Sequence, residues 1–306
     1  MVPYAFFKGK IVPLADAKIS ILTHALHYGT ACFEGIRGNW NDEEQQLYLF
    51  RMLEHYQRLH KSCKIIKIDL PYSPEELCRI TVEMVEKNGY KEDVYIRPLA
   101  YKSSEQVGVR LHNLEDSFCV FTVPFGNYLD VTKGIKCCTS TWRRIDDNVI
   151  PARGKITGLY VNSALAKTEA FENGYEEAIL LTQDGHVSEG SGENIFIVSG
   201  NKLITPPVYD NILQGITRDT IINLARDEFG IETVERSIDR SELYIVDECF
   251  MTGTAAHVTP VTEIDHRKVG DGEVGPISSK LQELYFEIVR GKNSKYKSWC
   301  TAVYKK

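Results

Sequence analysis

Apolar positions along this chain recur with two different periods. Met52, Leu53, Tyr56, Leu59 and Cys63 fall near helical spacing and predict a helix over residues 50–63. Ser73-Pro74-Glu75-Glu76 offers a cap, a first-turn proline and acidic residues, so a second helix opens there, and Asn88-Gly89 closes it. Val161, Ala164, Leu165, Thr168 and Phe171 share one face of a helix over 158–173, the face expected to pack. A further helix over 217–229 is ended by Gly230. Short apolar runs between turn residues predict strands instead. FFKGKIVP reads as a hairpin around Lys8-Gly9-Lys10, and 118–123 and 135–141 read as strands. Residues 178–181 pair with 186–188 through Gln183-Asp184-Gly185, and 195–198 pair with 202–205 around Ser199-Gly200-Asn201. A strand over 248–251 runs into the small-residue turn TGTAA, 252–256. Strands and helices are intermixed without the regular alternation of a parallel sheet, which predicts an α+β fold.

The chain has 306 residues, enough for about two domains. PFGNYLDVTKG, residues 124–134, carries a proline and two glycines between two strand-like runs. It predicts an interdomain loop there, with a smaller domain over 1–123 and a larger one over 135–306. The net charge of -6 leaves no electrostatic footprint for nucleic acid. The first residues, MVPYAFFKGKIVP, lack the pattern of a secretory signal, and no apolar run approaches the roughly 20 residues of a membrane helix. Eight scattered cysteines without a CxxC fit free thiols in a reducing cytoplasm.

The stretch VSEGSGENIFIV, residues 187–198, sets Glu189 and Glu193 among glycines directly against an apolar strand. Gly190-Ser191-Gly192 is not a dinucleotide fingerprint: the third glycine is Ile195, and a strand follows rather than a helix. A bulged turn explains the glycines but not two carboxylates beside a core strand, which need a cationic or protonated partner. Gly215 and Thr217 stand at a helix start with Arg218 beside them, either a plain cap or an anion site built on free N–H groups. TGTAA is a second cluster able to bring backbone N–H groups to an anion. Lys155, between Gly154 and Gly158, reads either as ordinary surface charge or as a reactive amine. His24 and His27 lack the companions of a metal site, and no GxSxG elbow occurs. The residues alone lead to an α+β enzyme with a phosphorylated ligand and no metal.

In order, HALHYGTACFEGIRG (24–38), YIRP (95–98), KITGLYVNS (155–163), VSEGSGENIF (187–196), LQGITR (213–218) and TGTAAHVTPV (252–261) give the chain a clear likeness. It resembles the branched-chain amino acid aminotransferases, pyridoxal 5'-phosphate enzymes of fold-type IV. The resemblance covers nearly the whole chain and fades after about Lys280. It implies a small α/β sandwich domain and a larger pseudo-barrel domain. Lys155 matches the lysine that forms the Schiff base and moves the α-proton, and Glu189 the carboxylate on the pyridine nitrogen. Tyr160 matches the hydrogen-bond donor to the cofactor's phenolic oxygen. Arg58, Ile216, Thr217 and Thr254 match the phosphate ligands, and Glu193 and Asn194 have supporting roles. For substrate, Gly253, Thr254, Ala255 and Ala256 resemble the loop that takes the α-carboxylate, with Tyr95 in support. Arg97 resembles the arginine for the second carboxylate of glutamate. Phe33, Tyr28, Phe125 and Tyr128 match the aromatic wall, with Tyr28 and Val107-Gly108-Val109 expected from the partner subunit of a homodimer or trimer of dimers. The implied reaction is amino transfer between Leu, Ile or Val and 2-oxoglutarate, in the biosynthesis of those amino acids. D-amino-acid transaminases and aminodeoxychorismate lyases share the lysine and glutamate, but YIRP with FEGIR and TGTAA favours the branched-chain L-selective pattern. The alternative outside this class is a non-enzymatic protein that binds a phosphorylated ligand.

Overall fold

The computed structural model describes residues 3–126, 129 and 132–304. The chain groups into two compact units. The first comprises Met1–Gly126, Gly154–Gly158 and Glu287–Lys306. Its strands are β1 (Tyr4–Phe7), β2 (Lys10–Pro13), β3 (Ala31–Phe33), β4 (Ile36–Asn41), β5 (Gln46–Phe50), β6 (Val94–Lys102) and β7 (Asp116–Pro124). With the C-terminal strand Cys300–Ala302 they form one sheet, ordered Cys300–Ala302, β5, β4, β6, β7, β1, β2, with β3 also on β6. Every pairing in it is antiparallel. Along β6, Val94, Ile96 and Ala100 are fully buried while Tyr95, Arg97 and Leu99 are half-buried. The two-residue period of a strand thus sends YIRP's tyrosine and arginine to one face and its apolar residues to the other.

This unit also holds α1 (His24–Tyr28), α2 (Met52–Ile65) and α3 (Pro74–Asn88). The start of α3 is a capping box: the Glu76 N–H donates to Ser73 Oγ at 3.2 Å, and the Ser73 N–H to Glu76 Oε2 at 2.7 Å. Gly89 ends it in the left-handed region, φ 64°, where a glycine meets no side-chain penalty.

The second unit comprises Asn127–Arg153 and Leu159–Phe286. It contains β8 (Ile135–Arg143), α4 (Tyr160–Glu172), β9 (Glu177–Leu181), β10 (Val187–Gly190), β11 (Asn194–Ser199), β12 (Lys202–Thr205), α5 (Ile216–Phe229), β13 (Thr233–Glu235), β14 (Glu248–Gly253), β15 (His257–Ile264) and β16 (Arg267–Lys268). The mixed sheet runs β10, β9, β8, β15, β14, β11, β12, β13, with β16 on β15. Both expected hairpins, β9–β10 and β11–β12, form. Residues 194–198 of β11 are buried throughout, the last four as their continuous apolar run requires. Ile195 and Ile197 join Met251, Cys249 and Val261 in the core, and Phe196 on the other face stacks on Phe250 at 5.1 Å.

Two expectations are corrected here. The helix over 158–173 exists as α4, but the face drawn as its packing face is not buried: Val161 and Phe171 are 64% and 75% exposed. The buried residues are Ser163, Ala166 and Ala170, and the two alanines pack with Cys138, Ala178 and Leu180. Small side chains let the helix axis approach the strands closely, so apolar bulk was the wrong marker. The chain after 286, placed by its sequence with the second domain, groups with the first unit. There Cys300–Ala302 pairs with β5. Residues 154–158 also group with the first unit.

Candidate active site

In the first unit, α2 presents His55 and Arg58 three residues apart, on one face. Both meet Glu34, which is fully buried between β3 and β4. Arg58 donates from Nε to Oε1 at 2.7 Å and from Nη2 to Oε2 at 2.8 Å, a two-pronged pair. His55 Nδ1 lies 2.7 Å from Oε2. Burial pushes the Glu34 carboxyl upward, but the Arg58 charge and hydrogen bonds, with those of His55, hold it well below the usual carboxylate range. Burial also depresses His55. The guanidinium of Arg58 therefore has a fixed orientation.

Lys155 is half-buried in the same unit. Its N–H donates to Ser62 Oγ at 3.0 Å and its carbonyl accepts from the Phe33 N–H at 3.0 Å, so α2 and β3 grip its backbone. Its Nζ stands 5.0 Å from the centre of the Phe33 ring. The guanidinium carbon of Arg97 stands 4.5 Å from that ring and 5.1 Å from the Tyr95 ring. Arg97 Nη2 donates to Tyr95 Oη at 3.2 Å. The Tyr95 ring lies 5.2 Å from that of Phe125, whose carbonyl accepts from Arg37 Nη2 at 3.0 Å. Gly35 has a steric purpose: a Cβ there would fall 2.0 Å from Tyr95 Oη. Tyr28 Oη accepts from the Gly108 N–H at 3.0 Å, and Val107 and Val109 beside it are 71% and 88% exposed. Tyr128 lies outside the described residues.

In the second unit, Glu189 sits on β10 just past a register shift between Val187 and Glu189. Such a bulge re-aims the side chain that follows it. Three donors converge on the buried carboxylate: Arg144 Nη2 at 2.7 Å, Asn194 Nδ2 at 3.0 Å and the Leu213 N–H at 2.9 Å. Arg144 is anchored by donating from Nε to the Asn211 carbonyl at 3.1 Å. Asn194 also donates to the Leu213 carbonyl at 2.8 Å. The chain next to it is so close that a Cβ on Gly215 would fall 2.1 Å from Asn194 Oδ1. Gly215 then caps α5 without a side-chain hydrogen bond, and buried Thr217 follows in the first turn. Arg218, beside the helix start in sequence, is engaged elsewhere. Its Nη2 donates to Glu235 Oε2 at 2.7 Å and to the Pro206 carbonyl at 3.1 Å. At the end of β14, Gly253, Thr254 and Ala255 form a half-buried turn closed by His257 at φ 58°. Thr252 Oγ1 is buried there without a partner among the described residues. Tyr160 is half-buried as the first residue of α4.

Each unit by itself carries groups that suit part of a phosphorylated pyridine. The first offers an amine and an arginine with a fixed fork. The second offers a helix start without a side-chain cap, the hydroxyls of Thr217 and Thr254, and a carboxylate held by three donors. Among the described residues no cluster suits a metal ion, and no helix is long and apolar enough to cross a membrane.

The sequence family Amino-transferase class IV matches residues 31–264. A probable branched-chain-amino-acid aminotransferase of Aquifex aeolicus is 55% identical over 99% of this chain and 97% of its own. The branched-chain aminotransferase of Thermoproteus uzoniensis, solved with norvaline, superposes with a TM-score of 0.95 at 47% identity, covering 99% of this chain and all of that one. The branched-chain amino acid aminotransferase of Thermobaculum terrenum, solved in its PLP form, gives a TM-score of 0.95 at 38% identity over 99% of both chains. The chain belongs to the class IV aminotransferases. Its fold is the α+β fold of fold-type IV expected from the resemblance. For this aminotransferase, sequence reasoning missed Arg144, Glu34, His55 and Ser62. Glu34 lies inside the FEGIR motif, but its partners are on a helix 21 and 24 residues away, and Arg144 carries no local signal at all.

Proposed function

We propose that the chain moves amino groups between branched-chain L-amino acids and 2-oxoglutarate, with pyridoxal 5'-phosphate as cofactor. When bound, that cofactor supplies the electron sink that lets an amino acid lose its α-proton and exchange its amino group for an oxo group. Lys155 holds the cofactor through its amine and then moves the proton at the substrate α-carbon. Glu189 takes the proton side of the pyridine nitrogen, and Arg144, Asn194 and the Leu213 N–H keep its carboxylate in place and ionised. Tyr160 donates to the phenolic oxygen. Arg58, the Ile216 N–H, Thr217 and Thr254 hold the phosphate, with Glu34 orienting Arg58. The turn Gly253-Thr254-Ala255 takes the α-carboxylate, with Tyr95 in support.

The observation that carries the choice of substrate is Arg97 laid against the Phe33 and Tyr95 rings. An apolar side chain fills the aromatic wall of Phe33 and Phe125, while the second carboxylate of glutamate pairs with the cation beside it. One pocket so accepts leucine and glutamate in turn. Exposed Val107 and Val109, linked to Tyr28 through Gly108, fit contributions across a homodimer, assembled as a dimer or as a trimer of dimers. Eight free cysteines fit a cytoplasmic location. The test is glutamate formation from 2-oxoglutarate with L-leucine, L-isoleucine and L-valine as donors. Turnover restricted to D-amino acids overturns the assignment.

A further inference from the structure

Glu193, four residues after Glu189, has a different environment. It is 5% exposed, and Glu177, fully buried at the start of β9, lies within hydrogen-bond reach of it. Both Glu177 oxygens already accept: Oε1 from the Ala178 N–H at 2.8 Å, Oε2 from Lys167 Nζ at 2.6 Å. Glu193 Oε2 accepts from the Gly192 N–H at 3.0 Å. Among the described residues the thiols of Cys137 and Cys138 on β8 also face these carboxylates, Cys137 both and Cys138 Glu177, and burial drives both thiols upward and so keeps them neutral. Two buried carboxylates thus face one ammonium among the described residues, that of Lys167, whose side chain is 27% exposed. Two adjacent buried carboxylates with a single cation retain one proton between them. Both oxygens of Glu177 are engaged by N–H donors, so the proton belongs on the second oxygen of Glu193. Burial, then the charge of Glu177, pushes the Glu193 carboxyl up to about 8.

The side chain also touches two turns. A Cβ on Gly190 would stand 3.0 Å from Glu193 Oε2, and one on Gly253 would stand 3.4 Å from its Cγ. The Gly190 N–H donates to the Glu193 carbonyl at 2.7 Å. One turn carries Glu189 and the other leads into Thr254.

We propose that Glu193 is a positioning residue that works as the neutral acid, donating to Glu177 and bracing the 190–193 turn against the 253–255 turn. The two glutamates of SEGSGEN then have opposite states: Glu189 charged and held by three donors, Glu193 protonated and holding the loop. Loss of its proton sets a second negative charge against Glu177, with the Lys167 ammonium already paired to Glu177, and the brace loosens. The assignment of those turns to cofactor and substrate rests on the function proposed above; the protonation state does not.

The test uses the cofactor-free chain first. A native state that keeps a proton already released by the unfolded chain loses stability as pH rises from the ordinary glutamate value towards about 8. Glu193→Gln keeps a donor for Glu177 and carries no titration. The difference in Tm between Glu193→Gln and the wild type therefore grows in favour of the variant from pH about 5 to about 8 and then levels. A difference that stays constant across that window overturns the proposal. If the variant does not fold, infrared spectra of the wild type decide: a protonated-carboxyl band at pH 7 that vanishes at higher pH is required, and its absence refutes the assignment. With pyridoxal phosphate added, wild-type affinity falls above pH about 8, and Glu193→Gln moves that fall to higher pH. A shift in Tm without a shift in affinity keeps the proton and removes the link to the cofactor turn.

Discussion

Replacing Arg97 by methionine separates the two halves of the substrate pocket. The change removes the cation but keeps an unbranched apolar chain of similar reach against Phe33 and Tyr95. A hydrogen bond to a charged group contributes about 1.5–3 kcal/mol. Losing that with glutamate lowers kcat/KM by about 10- to 150-fold, at about 1.4 kcal/mol per decade. Leucine makes no such bond. It suffers only the loss of the cation against the aromatic wall, about 0.5–1 kcal/mol at an accessible site, or up to about fivefold. Arg97 Nε is buried without a partner among the described residues, so the apolar replacement also removes an unpaired donor and leucine turnover has no further cost to bear. Single-turnover half-reactions with L-glutamate and L-leucine, measured separately, give the ratio directly. Equal losses with both substrates would refute the assignment of Arg97 to the second carboxylate.

Other changes follow from the same geometry. Lys155→Ala is expected to abolish turnover while leaving the circular dichroism spectrum and the cooperative melt intact; residual turnover by a folded variant contradicts its role as base. Glu189→Gln slows α-proton removal, because an amide cannot hold the charged pyridine nitrogen, and unchanged rates of α-deuterium loss would count against it. Glu34→Gln breaks a buried pair worth about 3–5 kcal/mol when one partner is removed. The folded-state value of Glu34 is depressed, so its stabilisation is present above the ordinary glutamate value of about 4.3 and is lost as pH falls below it. The wild type therefore loses its stability advantage over Glu34→Gln in acid, and Tm curves that remain parallel below pH about 5 would exclude the ion pair. The same variant weakens pyridoxal phosphate binding by freeing Arg58, as titration of the apoprotein would show.

Legibility in the sequence followed distance along the chain. The capping box of α3 and the glycine stops of α3 and α5 are local chemistry, and they formed where the residues predicted. The two hairpins of the second unit did the same. The packing face of α4 was misjudged because Ala166 and Ala170 are buried for their small size, while Val161 and Phe171 stand in the open. The C-terminal strand pairs with β5, a partner no local pattern names. In the candidate site, the motifs and the resemblance named Lys155, Glu189 and Arg58 as candidates. The groups that orient them were hidden: Glu34 meets Arg58 from 24 residues away, and Arg144 reaches Glu189 from another strand end. Arg218 shows the opposite error, since proximity to a helix start suggested an anion ligand and the fold turns it to Glu235.

The most direct test of the central claim is an absorbance spectrum of the purified protein with pyridoxal phosphate, recorded before and after L-leucine and then after 2-oxoglutarate. The account predicts a visible band that L-leucine bleaches and 2-oxoglutarate restores, with Lys155→Ala failing to complete the cycle. A protein that takes up no pyridoxal phosphate, or whose band responds to D- but not L-amino acids, would contradict it.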